Sequence, residues 1–343
     1  GFEEGIQRSS SVKDFETLLQ LVNLYFTQPR KDQGLFNSFV TKQKSMMQFL
    51  KGNPQFYYQD TVMKILYNNN PWMNPLPTMK EFEDLNLDSV MSVYNHVFGN
   101  ADGMHFTFVG NIDPEKAKPL FEKYLASLPA EKEEHSFKDN GARPVKGVVE
   151  AHIKKGMASQ SIISVYWAGE TDYNREQNLA FRALIDALNI QIIEQLREAM
   201  SGMYSGGLNG TIQKRPYVHY MITANIPCGP ENVDKLSTAL FDIINNARQK
   251  GIDLKDLDKV KETLKKQYRV NIQSNEAWLS NLSNAFIDQT NPENILDYEQ
   301  KVDALTVQNL QKAAQKFFDM DNYVMTVLYP ENATIPEKAK KAF

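Results

Sequence analysis

Arg197 and Tyr204 are the residues whose types and spacing most suggest chemistry in this sequence. They stand seven residues apart in the stretch EQLREAMSGMYSGG, on either side of Gly202. A guanidinium and a phenol both donate hydrogen bonds without having to act as bases, and arginine keeps its charge. A structural alternative is that Arg197 pairs with Glu194 or Glu198 while Tyr204 packs at the start of a strand.

The elements around this pair follow from hydrophobic periodicity. An apolar stripe at helical spacing predicts a long helix from about residue 174 to 200, and two strands are predicted after it, around 203–213 and 217–226. Arg197 therefore belongs to the last turn of a helix, and Tyr204 follows the glycine that ends it.

Histidine spacing decides whether the chain can hold a catalytic metal. No two of the five histidines are four residues apart, so no helix face offers a paired imidazole site: His96, His105, His135, His152 and His219. The nearest approach to a motif is EKEEH at 131–135, where Glu131 occupies the place of the first imidazole. The sequence therefore predicts no metal or cofactor site in this chain.

Composition excludes several classes of protein. The 343 residues are 42% hydrophobic and 23% charged with a net charge of −4, which is typical of a globular protein with about two domains and not of a nucleic-acid-binding one. No run approaches the length of a membrane span, and GFEEGIQRSS lacks the features of a signal peptide, so we expect a native start upstream of Gly1. The single cysteine, Cys228, excludes an internal disulfide.

An internal repeat predicts the domain organisation. Asn70-Pro71 and Phe98 recur as Asn291-Pro292 and Phe318 at an offset of about 220 residues. Each set lies in a similar succession of predicted helices, and each succession ends in a predicted strand: MHFTFVGN in the first and NYVMTVLYP in the second. Residues 130–147 have the Gly, Pro and charged composition of a linker. We predict a shortened first domain at 1–129 and a complete second domain at 148–343, the first lacking its leading strands.

Several phrases give the chain a family resemblance. Four stretches resemble domains of the insulinase or pitrilysin family of zinc peptidases: KDFETLLQLVNLYFTQPR, VYNHVFGNADGMHFTFVGNID, FEKYLASLP and QIIEQLREAMSGMYS. The first three resemble the bacterial branch of the family. The resemblance implies an α+β fold with two copies of a mixed β-sheet backed by helices. It also implies two halves that close around a substrate, with an inverted His-x-x-Glu-His zinc motif in the first half only.

Because that motif is absent, the chain resembles the second, non-zinc half. The resemblance implies that Arg197 and Tyr204 reach the substrate near the zinc and donate to the carbonyl oxygen of the peptide bond being cleaved. The implied partners are an N-terminal zinc-bearing half and a peptide or unfolded polypeptide, and the chain alone is expected to be inactive.

Three further expectations accompany this interpretation. A non-catalytic scaffold or peptide-binding subunit of the same family is the alternative function. A bacterial periplasmic or cell-envelope location follows by analogy. An exposed sheet edge in the shortened first copy would favour a homodimer of the fragment.

Overall fold

The computed structural model describes residues 5–73, 76–133, 136, 138–199 and 206–335. Twelve α-helices and five strands lie within these ranges. The helices are α1 (Phe15–Thr27), α2 (Gln33–Gly52), α3 (Pro54–Leu66), α4 (Met79–Glu83), α5 (Leu87–Phe98), α6 (Pro114–Tyr124), α7 (Arg175–Ala199), α8 (Val233–Lys250), α9 (Leu254–Asn271), α10 (Asn275–Ile287), α11 (Tyr298–Asp303) and α12 (Val307–Phe317). The strands are β1 (Val148–Lys154), β2 (Ser161–Glu170), β3 (Gly207–Gln213), β4 (His219–Cys228) and β5 (Tyr323–Tyr329).

The chain divides into two compact units. Unit 1 comprises Gly1–Gln48, Pro77–Lys138 and Val270–Ile295, and unit 2 comprises Phe49–Leu76, Asp139–Arg269 and Leu296–Phe343. The predicted domains at 1–129 and 148–343 were drawn as continuous ranges, whereas each compact unit collects three separate segments. The two-copy division stays a prediction.

Local sequence signals account for several helix starts. Pro54 and Pro114 occupy the first turns of α3 and α6, where a missing N–H costs nothing. At the start of α6 the Asp113 carboxylate also accepts from the N–H of Glu115 at 3.1 Å. Thr78 forms a capping box at the start of α4 with the side chain and N–H of Glu81.

Unit 1 is held together by aromatic packing between helices and an extended segment. The ring of Phe15 in α1 meets Phe108 and Phe121, each at 5.9 Å between centroids. The strand predicted for residues 104–111 is wrong, because no strand among the described residues pairs with this segment through backbone hydrogen bonds. Its alternating apolar side chains still pack: Phe106 lies 6.1 Å from Phe26. A strand needs the backbone of a neighbour as well as a suitable pattern.

Unit 2 contains a five-stranded mixed sheet in the order β1-β5-β2-β4-β3. β1 and β5 are parallel, and the remaining neighbours are antiparallel. The α+β class and the mixed sheet backed by helices, predicted from the sequence, are confirmed. β3 is an edge strand that pairs with β4 only.

The two faces of this sheet are covered differently. The large core under α7, α8 and α12 includes Trp167 and Phe318, whose rings meet edge to face at 5.0 Å. On the opposite face α3 packs against β1, β5 and β2, and the hydroxyl of Tyr58 lies 2.6 Å from that of Thr326. Among the described residues, α3 covers three strands on this face and does not extend over β3 or the adjoining part of β4.

A membrane-spanning helix is absent from the part of the chain that the structure describes: none of its helices combines the length and apolarity that a bilayer crossing requires.

Candidate functional site

The structure positions the elements that carry the predicted donor pair. α7 extends to Ala199, so Arg197 lies in its last turn, as predicted; its side chain is outside what the structure describes. Tyr204 lies outside the described residues, within the segment 200–205 that joins α7 to β3. The role of the two side chains stays a prediction.

An asparagine within α7 binds the helix to the start of β3. The side-chain oxygen of Asn189 accepts from the N–H of Leu208 at 2.7 Å, and its amide group donates to the C=O of Leu208 at 2.9 Å. The side chain of Asn189 thus satisfies both the N–H and the C=O of Leu208. This contact fixes the start of β3 against α7.

Two glycines in β3 permit this close packing of helix and strand. A Cβ at Gly207 would lie 2.6 Å from the side-chain oxygen of Asn189. A Cβ at Gly210 would lie 2.7 Å from the ring of Phe181 in α7. Any larger residue would push the edge strand away from the helix.

The face of the sheet beside this junction forms a shallow groove of about 850 Å³, and the described residues that line it carry no charged side chain. Its floor carries amide and hydroxyl side chains together with a thioether, contributed alternately by β3 and β4: Asn209, Thr211, Met221, Thr223 and Asn225. Asn189 and the exposed Ile193 border it from α7. The described lining of this groove can offer hydrogen bonds to a molecule that lies along β3.

The predicted linker is anchored close to the hairpin that follows β3. Arg143 binds Asp139 at 2.6 Å and Glu170 at 3.1 Å, and its guanidinium stacks 3.4 Å from the ring centroid of Tyr217. The hydrogen bonds from Arg143, with one from the N–H of Gly141, lower the pKa of Asp139 to about 2.

One buried imidazole lies in the same unit. The Nδ1 atom of His152 in β1 is buried and has no hydrogen-bond partner among the described residues. Burial lowers the pKa of His152 below 6.5, although Glu150 and Asp234 oppose the shift. A neutral, half-buried histidine of this kind is a structural residue rather than a ligand in a cluster.

The described residues contain no group of three His, Cys, Asp or Glu side chains placed to hold a metal ion. His135, the one histidine of the EKEEH stretch, lies outside them.

The sequence interpretation singled out Arg197 and Tyr204 but missed Asn189. The available signal was a polar residue inside the apolar run LIDALNIQII, followed by a glycine-rich strand. A partly buried amide at such a position needs a hydrogen-bond partner, which the strand backbone supplies here.

Comparison with known proteins adds three findings. Residues 84–264 match the family model described as the peptidase M16 inactive domain. A curated relative, the probable zinc protease PqqL of Haemophilus influenzae, is 22% identical over 331 residues, which cover 95% of this chain and 35% of that protein. The chain thus spans about a third of the length of this relative.

Solved structures share the fold. The periplasmic protease PqqL from Escherichia coli superposes with a TM-score of 0.80 at 18% identity, over 93% of this chain and 35% of that one. The first half of the same protease superposes with a TM-score of 0.74 at 15% identity, over 98% of this chain and 74% of that one. Both matches concern the fold alone.

Proposed function

This chain belongs to the peptidase M16 family, in the part described as its inactive domain, and we propose that it forms one wall of the substrate chamber of a zinc endopeptidase. The resemblance to the insulinase or pitrilysin family that the sequence suggested is confirmed by the match over 84–264. The zinc is expected in a complementary N-terminal half, because the histidine spacing of this chain does not fit the family's metal motif.

The junction between α7 and β3 is the observation that supports a role at the peptide bond. Arg197 lies in the last turn of α7, and the Asn189–Leu208 contact holds β3 against the same helix. In the sequence, Tyr204 follows Arg197 and precedes Leu208, so both donors belong to the stretch of chain that links α7 to β3.

The chemistry explains why donors of this kind are useful. When the peptide carbonyl is attacked, negative charge develops on its oxygen, and hydrogen-bond donors already in place stabilise that charge most. A phenol O–H and a guanidinium meet this need without accepting a proton. In this proposal Tyr204 and Arg197 donate to that oxygen, and the groove binds the flanking polypeptide.

The test is a pair of substitutions in the complete protease. Tyr204→Phe is expected to lower kcat by roughly 100- to 1,000-fold, because one preorganised donor is lost while the ring remains. Arg197→Lys should also lower kcat, since a point charge does not place its donors as a planar fork does. Thermal stability should change little in either variant.

Matched controls come from the same unit. Tyr173→Phe removes a phenol hydroxyl at the start of α7, and Arg182→Lys changes an exposed arginine on the same helix; both should leave kcat near that of the wild type. Unchanged turnover in Tyr204→Phe would refute the donor role and favour a scaffold or peptide-binding subunit of the same family.

The location of the protein is proposed by analogy. The similar Escherichia coli protein is described as a periplasmic protease, and we place this chain in the periplasm or cell envelope of a bacterium. Fractionation of cells with an antibody to this chain would test the location.

A further inference from the structure

The segment His105–Val109 of unit 1 has the side-chain alternation of a strand without a neighbouring strand. Its N–H and C=O groups have no backbone partner in the part of the chain that the structure describes. The nearest backbone bonds stop short of it: Met104 donates to the C=O of Ala101, and Ile112 donates to that of Gly110. In unit 2 the similar segment β5 pairs with a strand on each side. The backbone of His105–Val109 is therefore open to pairing.

Helices pack on both faces of this segment. On one face the ring of Phe108 lies 4.7 Å from that of Phe121 in α6. On the other face the ring of His105 stacks on Phe286 of α10, with 3.4 Å between the ring centroids. Side chains that alternate between two helical layers are arranged as in a strand inside a sheet. This packing leaves the edges of the backbone as the part of the segment that can still bind a partner.

A slot of about 830 Å³ adjoins the segment. It is lined by residues 107–113 and 7–13, and by side chains of α1, α6 and α10. Since α6 and α10 contact opposite faces of the segment, helices border the slot in the same way that they border the segment itself. The slot thus lies where the next strand of a sheet would lie, and it fits an extended stretch of polypeptide.

The segment is complementary in charge to a second copy of itself. Residues 104–112, MHFTFVGNI, contain no Asp, Glu, Lys or Arg, so two copies aligned antiparallel bring no like charges together. A pair centred on Thr107 places each Phe106 opposite Phe108 of the other copy and places the two threonines opposite each other. Aromatic pairs and Thr–Thr pairs are among the cross-strand neighbours that stabilise a sheet. A two-fold axis at Thr107 forms all of these pairs at once.

We propose that this slot binds the same segment of a second copy of the chain, so that His105–Val109 of both copies form an antiparallel strand pair about a two-fold axis at Thr107. Each copy fills the slot of the other, which is the closed, isologous arrangement of most homodimers. The second copy is the occupant because it offers a strand backbone, matching side chains and no like charge across the axis. Neither Arg197 nor Tyr204 belongs to unit 1, so the dimer is independent of the proposed function.

The first test measures the oligomeric state of the 343-residue chain by sedimentation equilibrium. We expect a dimer at about 100 µM chain. Asn111→Lys places a long charged side chain in the slot and should raise the dimer Kd by about tenfold or more. Asn95→Lys, an exposed change on α5 outside the slot, should alter the Kd less than about twofold. A monomer at this concentration, or equal effects of the two substitutions, would overturn the proposal.

Cysteine cross-linking tests the register. With Thr107→Cys two thiols meet at the axis, and diamide should oxidise them to one disulfide between the copies while it is itself reduced. Val109→Cys should not link to itself, because the two positions then lie about 13 Å apart along the strands, beyond the reach of a disulfide. A mixture of His105→Cys and Val109→Cys chains should link, since these positions are opposite each other. Self-linking of Val109→Cys as readily as of Thr107→Cys would overturn the antiparallel pair.

Hydrogen exchange gives a readout that needs no substitution. Followed by mass spectrometry, exchange of a peptide that covers residues 104–112 should slow by about tenfold or more when the wild-type chain is raised from a dilute solution to a concentration above its Kd. A peptide that covers β5, whose backbone is already paired on both sides, should not change. Exchange of residues 104–112 that is the same at both concentrations would show that the slot is not the dimer interface and would overturn the proposal.

Discussion

Replacing Asn189 by Ala should separate β3 from α7. The change removes two hydrogen bonds, of 2.7 and 2.9 Å, that satisfy the N–H and C=O of Leu208. A buried polar group that loses its hydrogen-bond partner lowers the free energy of unfolding by about 1–3 kcal/mol. The loss at Leu208 should be at the lower end of this range, because water reaches the outer edge of a strand more easily than a closed core. We therefore expect the free energy of unfolding of unit 2 to fall by about 2 kcal/mol, near the lower limit for two such groups.

The assay must report on unit 2 alone. Trp167 is fully buried in its core, so a background in which Trp72 and Trp278 are replaced by Phe gives fluorescence from one site. Urea unfolding in this background yields the change in free energy, and amide exchange at Leu208 reports the local opening of β3. In the Ala variant that amide should exchange much faster than the amides of β4.

The control is Asn209→Ala, an exposed substitution on the same strand, which should change stability by less than about 0.5 kcal/mol. If Asn189→Ala is as mild as this control, or if exchange at Leu208 does not accelerate, the amide does not hold the edge strand and our account of the junction fails.

Two further predictions concern pH. The pKa of Asp139 lies at about 2, below its unfolded value of 3.8. Its contribution to stability is therefore present above pH 3.8 and is lost as the pH falls towards 2. Arg143→Met should lower the urea midpoint at neutral pH, and the difference in midpoint from the wild type should disappear as the pH approaches 2. The pKa of His152 is lowered below 6.5 by burial, so the unfolded state takes up the proton first and stability falls as the pH drops below about 6.5. His152→Gln should remove that part of the slope, and a slope unchanged in the variant would exclude His152 as its source.

Much of the fold of unit 2 could be predicted because its signals are local. The alternation in NYVMTVLYP gave β5, and the apolar stripe at helical spacing gave α7. Each of these signals lies within a few residues of the element that it specifies. The order of strands, with β5 between β1 and β2, depends on contacts between distant residues and was not predicted.

The wrong strand at 104–111 shows the limit of pattern alone. Its apolar side chains alternate as those of β5 do, yet β5 has a neighbour on each side while 104–111 has no ladder among the described residues. The pattern fixes which side chains pack, and Phe106 and Phe108 do pack. Hydrogen-bonded pairing depends on a second segment of backbone, which periodicity cannot report.

The candidate site was predictable only where residue type carried the signal. Arg197 and Tyr204 attracted attention because an arginine and a tyrosine flank Gly202, which the sequence predicts to end the helix. Asn189 did not, because its meaning depends on Leu208, a residue that only the folded chain brings within reach. Contacts of this kind are therefore found from coordinates and not from spacing.

The fold by itself cannot distinguish a catalytic half from an inactive one. This chain superposes on the complete PqqL protease and also on its first half, with TM-scores of 0.80 and 0.74, so the same framework of sheet and helices occurs in both matches. The distinction must then come from side chains on that framework. Helix α7 carries no histidine along its length. It supplies Asn189 to the edge strand and carries Arg197 in its last turn, and neither residue belongs to the family's metal motif. In our proposal the α7–β3 junction holds a polypeptide chain, and its contribution to cleavage depends on Arg197 and Tyr204.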